Sequence, residues 1–169
     1  MIARSEKAVV DNAATAAGAG VWRRRLWRYG PLVLWMGFIW FASTGEFSAD
    51  NTSRIIRPLL LWLFPDISPS KIAHAHFIVR KTAHFTEYAL LAFLAARALA
   101  VSSRSVLRRN WFLISLLLIV FYALVDEYHQ SYVATRTASI YDSLIDMSGG
   151  LTALLLYALW RRRKVKVKR

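Results

Sequence analysis

The stretch WFLISLLLIVFYALV, residues 111–125, is almost unbroken apolar sequence, and DEYHQ follows it directly. Together they reach the ~20 residues that a helix needs to cross the hydrocarbon of a bilayer. Three further stretches share this character: RYGPLVLWMGFIWFAST at 28–44, FTEYALLAFLAARALA at 85–100 and LTALLLYALW at 151–160. Lipid offers no partner to an exposed backbone N–H or C=O, so segments of this kind fold as helices. The expected fold class is therefore all-α: a polytopic membrane helix bundle. It has four transmembrane helices, at about 27–44, 81–101, 111–130 and 141–160, and both termini are cytoplasmic.

The segments between these spans are also legible. Residues 1–21 are Ala-rich and polar without apolar periodicity, which predicts a flexible cytoplasmic leader. The basic stretch WRRRLWR before the first span resembles a signal peptide. Its basic region would be nearly thirty residues long, and bulky Trp40 and Phe41 precede the cleavage region, so a retained helix is expected. The apolar IIRPLLLWLF at 55–64 is too short to span and is broken by Arg57 and Pro58; it reads as an interfacial or re-entrant segment. Ser68 has N-cap chemistry, with Pro69 at the first helical position. A short pre-helix is expected there, ahead of the second span. The tail after residue 160 is basic and cytoplasmic. Residues 22–160 form the membrane domain.

Charge fixes the orientation. The net charge is +13, which would suit nucleic acid, yet the Lys and Arg residues flank apolar runs and no nucleic-acid-binding motif accompanies them. With both termini inside, 17 of the 23 Lys and Arg lie on the cytoplasmic side and eight of the ten acids on the outer side. That is the positive-inside pattern. The chain has no cysteine, which removes disulfides and thiolate metal sites.

This topology gathers the charged ends of spans two, three and four at the outer face. Lys81, His84 and Tyr88 follow i, i+3, i+7 spacing and fill, with Glu87, an arc of about 120°. Asp126, His129 and Gln130 share a face at i, i+3, i+4, while Glu127 points about 100° away. Asp142 and Asp146 stack at i, i+4, and Arg136 lies in the short connection between spans three and four. Charges at membrane depth are expensive and mark functional sites by default. The plainer reading is that Arg80, Lys81 and Arg136 neutralise Glu87, Asp126 and Asp142 and hold the bundle together.

KTAHFTEYALLAFL (81–94), DEYHQSYVATR (126–136) and SIYDSLIDMSGG (139–150) resemble the three motif blocks of the VanZ-like membrane proteins. WFASTGEFS at 40–48 is similar to that family's Ser-rich exit from its first helix. The resemblance covers about residues 30–160. Two positions depart from the family pattern: Thr135 stands for a Gly, and Asp146 for an Asn. The resemblance implies a bacterial plasma-membrane protein of the cell envelope, in a family whose founding member is associated with teicoplanin resistance.

Several functions fit these residues. The site can bind a lipid-linked anionic envelope component or an amphiphilic antibiotic, with membrane lipids and an envelope precursor as partners. It can be an enzyme on lipid phosphates, with His84, Glu87 and His129 as catalytic candidates. A divalent cation such as Mg²⁺ or Ca²⁺ would then sit on Asp126, Asp142 and Asp146. A small proton-coupled transporter is the third possibility. Against the enzyme, the signatures of CDP-alcohol phosphotransferases and of type 2 phosphatidic acid phosphatases are missing, and His74 and His76 read as surface residues. Against the transporter, the polar groups lie at one end of the spans and no internal repeat is present.

Overall fold

A computed structural model describes the backbone over residues 2–44, 49–133 and 139–167, and side chains over 20–44, 53–133 and 139–164. All regular structure among these residues is helical. α1 spans Ile2–Ala42, α2 Ala49–Leu63, α3 Pro69–Ala100, α4 Ser105–Arg109, α5 Trp111–Gln130 and α6 Ile140–Val167. α1, α3, α5 and α6 alternate in direction, so the end of α1, the start of α3, the end of α5 and the start of α6 share one end of the bundle.

α3 begins at Pro69 after Ser68, in agreement with the local sequence signals, although the Ser68 hydroxyl pairs with that of Ser70 and not with the backbone. The separate pre-helix expected before the second span does not exist. α3 is one helix of 32 residues, about 48 Å long at 1.5 Å per residue. Residues 70–100 contain no glycine or proline to break it, and alanine, the best helix former, recurs along it. α1 likewise runs back through the Ala-rich segment and forward through Pro31. Segment 55–64 falls almost wholly in α2, with Pro58 inside the helix.

α3 is the central element. It packs most extensively on α6, and also meets α1, α2, α4 and α5. Its buried face is largely small: Ala92, Ala95, Ala96, Ala98 and Ala100, with Tyr88, Leu91 and Leu99. Gly149 and Gly150 are the matching small surface of α6. A Cβ at Gly149 would run into the carbonyl of Phe85, and one at Gly150 would lie 2.7 Å from Ile119 Cγ2. Small residues let helix backbones approach closely where no hydrophobic force drives association.

Large apolar side chains face outward. Leu26, Leu34, Ile55, Leu117 and Phe121 are exposed, whereas Ser115, Asp126, Gln130, Asp142, Ser143 and Asp146 are buried. Exposed aromatics lie at both ends: Trp22, Trp27 and Trp160 at one, Trp62, Tyr128, Tyr132 and Tyr141 at the other. Amphipathic aromatics collect at such levels when a bundle crosses a membrane.

Among the described residues, two helices are long and apolar enough to cross a membrane: α5, and α6 over Ile140–Lys164. α1 and α3 fall short of the four-span expectation by that measure. The apolar part of α1 begins only after Arg28, and Lys81, Glu87 and Arg97 punctuate α3.

Candidate functional site

The ends of α1 and α5, the first turns of α6 and the middle of α3 supply the polar cluster. Ser43, just past the end of α1, donates its hydroxyl to Asp126 Oδ1 on α5. Three more contacts hold α1 in place for this. The Trp35 indole N–H donates to the Glu87 carbonyl at 2.9 Å, the Tyr122 hydroxyl donates to the Met36 carbonyl at 2.5 Å, and the Tyr29 and Ser102 hydroxyls pair at 3.0 Å.

On α5, the buried stripe Ser115, Ile119, Ala123, Asp126 and Gln130 steps by four, four, three and four residues. This is one face of a helix. It turns Asp126 inward at 3 % exposure and puts Gln130 beside it, with Gln130 Nε2 donating to Asp126 Oδ2 at 3.2 Å. The Tyr88 hydroxyl of α3 also faces Asp126, without the geometry of a hydrogen bond.

α3 and α6 meet across the same space. His84 Nδ1 lies 3.1 Å from Asp146 Oδ1, and both residues are buried. Side-chain atoms of His84, Asp126 and Asp146 all lie within 4.8 Å of one another. One turn nearer the helix start, Asp142 is buried and accepts from Lys81 Nζ and from Arg80 Nη2, the latter at 3.3 Å. Arg80 and Lys81 remain partly exposed at 27 % and 21 %, and the Lys81 ammonium lies 5.2 Å from the centre of the Phe77 ring.

The site is thus divided in two by charge. The outer layer holds two cations against one carboxylate. The inner layer holds two carboxylates and one imidazole, with neutral donors from Ser43 and Gln130.

Of the residues that the sequence singles out, Lys81, His84, Tyr88, Asp126, Gln130, Asp142 and Asp146 come together here. Glu87 lies one turn beyond His84 on α3, half-buried, with its backbone carbonyl taken by Trp35. Glu127 is buried beside the cluster and accepts the Ser139 backbone N–H at 2.7 Å, tying the end of α5 to the approach to α6. His129 stands apart from the trio and stacks on Trp40 with ring centres 4.1 Å apart. Arg136 and Thr135 lie outside the described residues. Asp142 pairs with Arg80 and Lys81, and His84 takes the place beside Asp126 and Asp146 that the sequence gives to Asp142 in a three-carboxylate set.

Ser43 is an addition. Ser43 had one signal in the sequence, its place in the Ser-rich exit from the first helix. Nothing there points to a partner 83 positions away.

At the opposite end of the bundle, a groove of about 1030 Å³ is lined by Arg108, Trp111, Phe112, Leu155 and Arg161, among others. Its lining holds no carboxylate or histidine, and it is remote from the polar cluster.

A family model described as VanZ/LLP1 matches residues 29–161 of the chain. No curated protein and no solved structure matches it.

Proposed function

Since the chain belongs to the VanZ/LLP1 family, with residues 29–161 matching its model, we propose that it is an envelope protein of the bacterial plasma membrane that binds a lipid-linked anionic group. The bundle crosses the bilayer four times with both termini in the cytoplasm, and the polar cluster opens on the outer side. α2 lies in the outer interface with its apolar residues in lipid. The exposed Ile55, Leu59 and Trp62 support that placement, as do the aromatics exposed at both ends of the bundle.

The observation that carries the reading is the pair Arg80 and Lys81 on one buried Asp142. Within this trio two cations meet one carboxylate, which leaves it net positive, with the Glu127 carboxylate buried beside the cluster. The pair stays partly exposed, and guanidinium and ammonium groups together suit a phosphate. The ligand is the phosphate of a membrane lipid or lipid-linked envelope precursor, and capturing it alters susceptibility to teicoplanin-type antibiotics. An amphiphilic antibiotic that carries an acidic group is the alternative ligand for the same mouth.

The test uses purified protein in nanodiscs with a polyprenyl phosphate, the matching polyprenol, or neither. Binding is read from tryptophan fluorescence, since Trp35 and Trp40 border the site. Saturable binding of the phosphate and not the alcohol is expected, weakened tenfold or more in Lys81→Met and Arg80→Met. Equal response to the alcohol and the phosphate overturns the reading. In a susceptible host, the same two variants are expected to lose any change in teicoplanin susceptibility that the wild-type protein confers.

A further inference from the structure

We infer that His84, Asp126 and Asp146 bind one first-row divalent cation of the Mn²⁺ or Zn²⁺ kind. The first support is geometric. The candidate ligand atoms lie within 4.8 Å of one another. Ligands bonded at about 2.0–2.2 Å to a single ion stand roughly 3–4.4 Å apart, so small side-chain movements complete the set.

The second support is charge. Among the described residues, Asp126 is held by the neutral groups of Ser43 and Gln130, and Asp146 by His84. Arg80 and Lys81 are committed to Asp142. Two carboxylates buried to 3 % and 0 % exposure therefore face one imidazole. Uncompensated buried charge is penalised by several kcal/mol. A divalent ion cancels both carboxylates and leaves the imidazole neutral, the form that ligates metals.

The third support is independent of the trio's proximity. Asp146 Oδ2 is buried without a hydrogen-bond partner, and so are Gln130 Oε1 and the Tyr88 hydroxyl. Gln130 and Tyr88 are 1 % and 0 % exposed. Gln130 is held against Asp126 by its own amide nitrogen, and the Tyr88 hydroxyl faces the same carboxylate. Buried polar atoms are ordinarily paired. Several left over around one small volume fit groups that complete the coordination of an ion or hold its water.

The ligand types select the ion. Imidazole with carboxylates suits first-row metals, whereas Mg²⁺ and Ca²⁺ prefer oxygen throughout. The inference deepens the reading of this site as a phosphate pocket and rests on it for the ion's role, which is to meet the phosphate from below while Arg80 and Lys81 meet it from the mouth. Whether the ion binds is separable from that.

The experiment titrates the purified full-length protein in micelles with Mn²⁺ alone, read by electron paramagnetic resonance, and with Zn²⁺ alone, read by metal content after desalting. One ion per chain and a melting temperature that falls on chelation are expected. His84→Gln and Asp146→Asn should each weaken affinity tenfold or more while circular dichroism stays helical, and Lys81→Met should leave it within twofold. Should Asp146→Asn fail to fold, His84→Gln carries the test. Absence of stoichiometric binding, affinity unchanged in His84→Gln, or melting indifferent to chelator overturns the inference, and a proton shared between the carboxylates then accounts for the pair. Phosphate-lipid binding repeated in chelator separates the two ideas. If it survives through Arg80 and Lys81 while no metal binds, only the metal site falls. If metal binds and phosphate does not, only the phosphate reading falls.

Discussion

Arg97 on α3 donates from its guanidinium to the carbonyl oxygen of Trp27 on α1 at 2.7 Å. That carbonyl would accept from the N–H of residue 31 in an ordinary helix, and residue 31 is proline, which has none. A charge near the end of an apolar helix thus completes the backbone bonding of its neighbour. Arg97→Met is expected to destabilise the fold by about 1–2 kcal/mol. Pro31→Ala should remove most of that loss, because residue 31 then supplies its own N–H. Thermal melting of the two single variants and the double variant in detergent measures this coupling; strictly additive effects would refute it.

The two glycines of α6 should respond differently to the same added methyl. At Gly149 the obstacle is the backbone of Phe85, whose carbonyl carbon lies 2.9 Å from the Cβ position. At Gly150 it is the Ile119 side chain. Gly149→Ala is expected to be destabilising by about 1–3 kcal/mol or more, with no side-chain rescue. Gly150→Ala should be rescued by Ile119→Ala. Melting temperatures decide, and equal rescue of both would contradict the packing described.

Much of this arrangement follows from periodicity. α5 occupies the residues that its apolar run marks out, and α3 turns Lys81, His84 and Tyr88 to one side, as their spacing implies, with Lys81 and His84 meeting α6 and Tyr88 facing Asp126 on α5. The limits of spacing are visible at His129. It shares a helical face with Asp126, yet the buried stripe is centred by Ile119 and Ala123, which lie on the other side of Asp126 by about 20–60°. Gln130 and Glu127 fall within that stripe and His129 turns away to Trp40. Spacing also leaves open which helix supplies a partner. The pairing of Asp142 with Arg80 and Lys81, and of Asp126 with Ser43, depends on how four helices are staggered, and no local signal encodes the stagger. α3 and α1 show the same limit at larger scale. On α3, Lys81 is paired with Asp142 of α6 and Arg97 with the Trp27 carbonyl of α1, which a window along one segment cannot register.

The charge excess at the mouth gives a prediction of opposite sign to the usual loss-of-function variant. Asp142→Asn removes the one carboxylate that occupies Arg80 and Lys81. Phosphate-lipid binding in nanodiscs is expected to tighten severalfold and to become more sensitive to salt, since the freed cations are partly exposed. A loss of binding would mean that Asp142 itself contacts the ligand, contrary to its role as counter-ion.

The absence of native cysteine makes topology directly testable. Ser70 and Ser103 are both exposed and lie at opposite ends of the bundle. In intact cells, a membrane-impermeant maleimide is expected to label Ser70→Cys and to spare Ser103→Cys until the membrane is opened. The reverse pattern would invert the orientation, and labelling of both from outside would dismiss the four-span arrangement.

The contact between Gly149 and Phe85 also bears on how tightly the site can hold anything. Phe85 adjoins His84, and Gly149 lies one turn beyond Asp146. With backbone against backbone at that point, α6 has little room to slide or roll past α3. The separation of the His84 and Asp146 backbones is therefore set by main-chain contact near them. Any ligand that draws the two side chains together then has only their rotamers to set, not the helices, so little of its binding energy is lost to ordering the backbone.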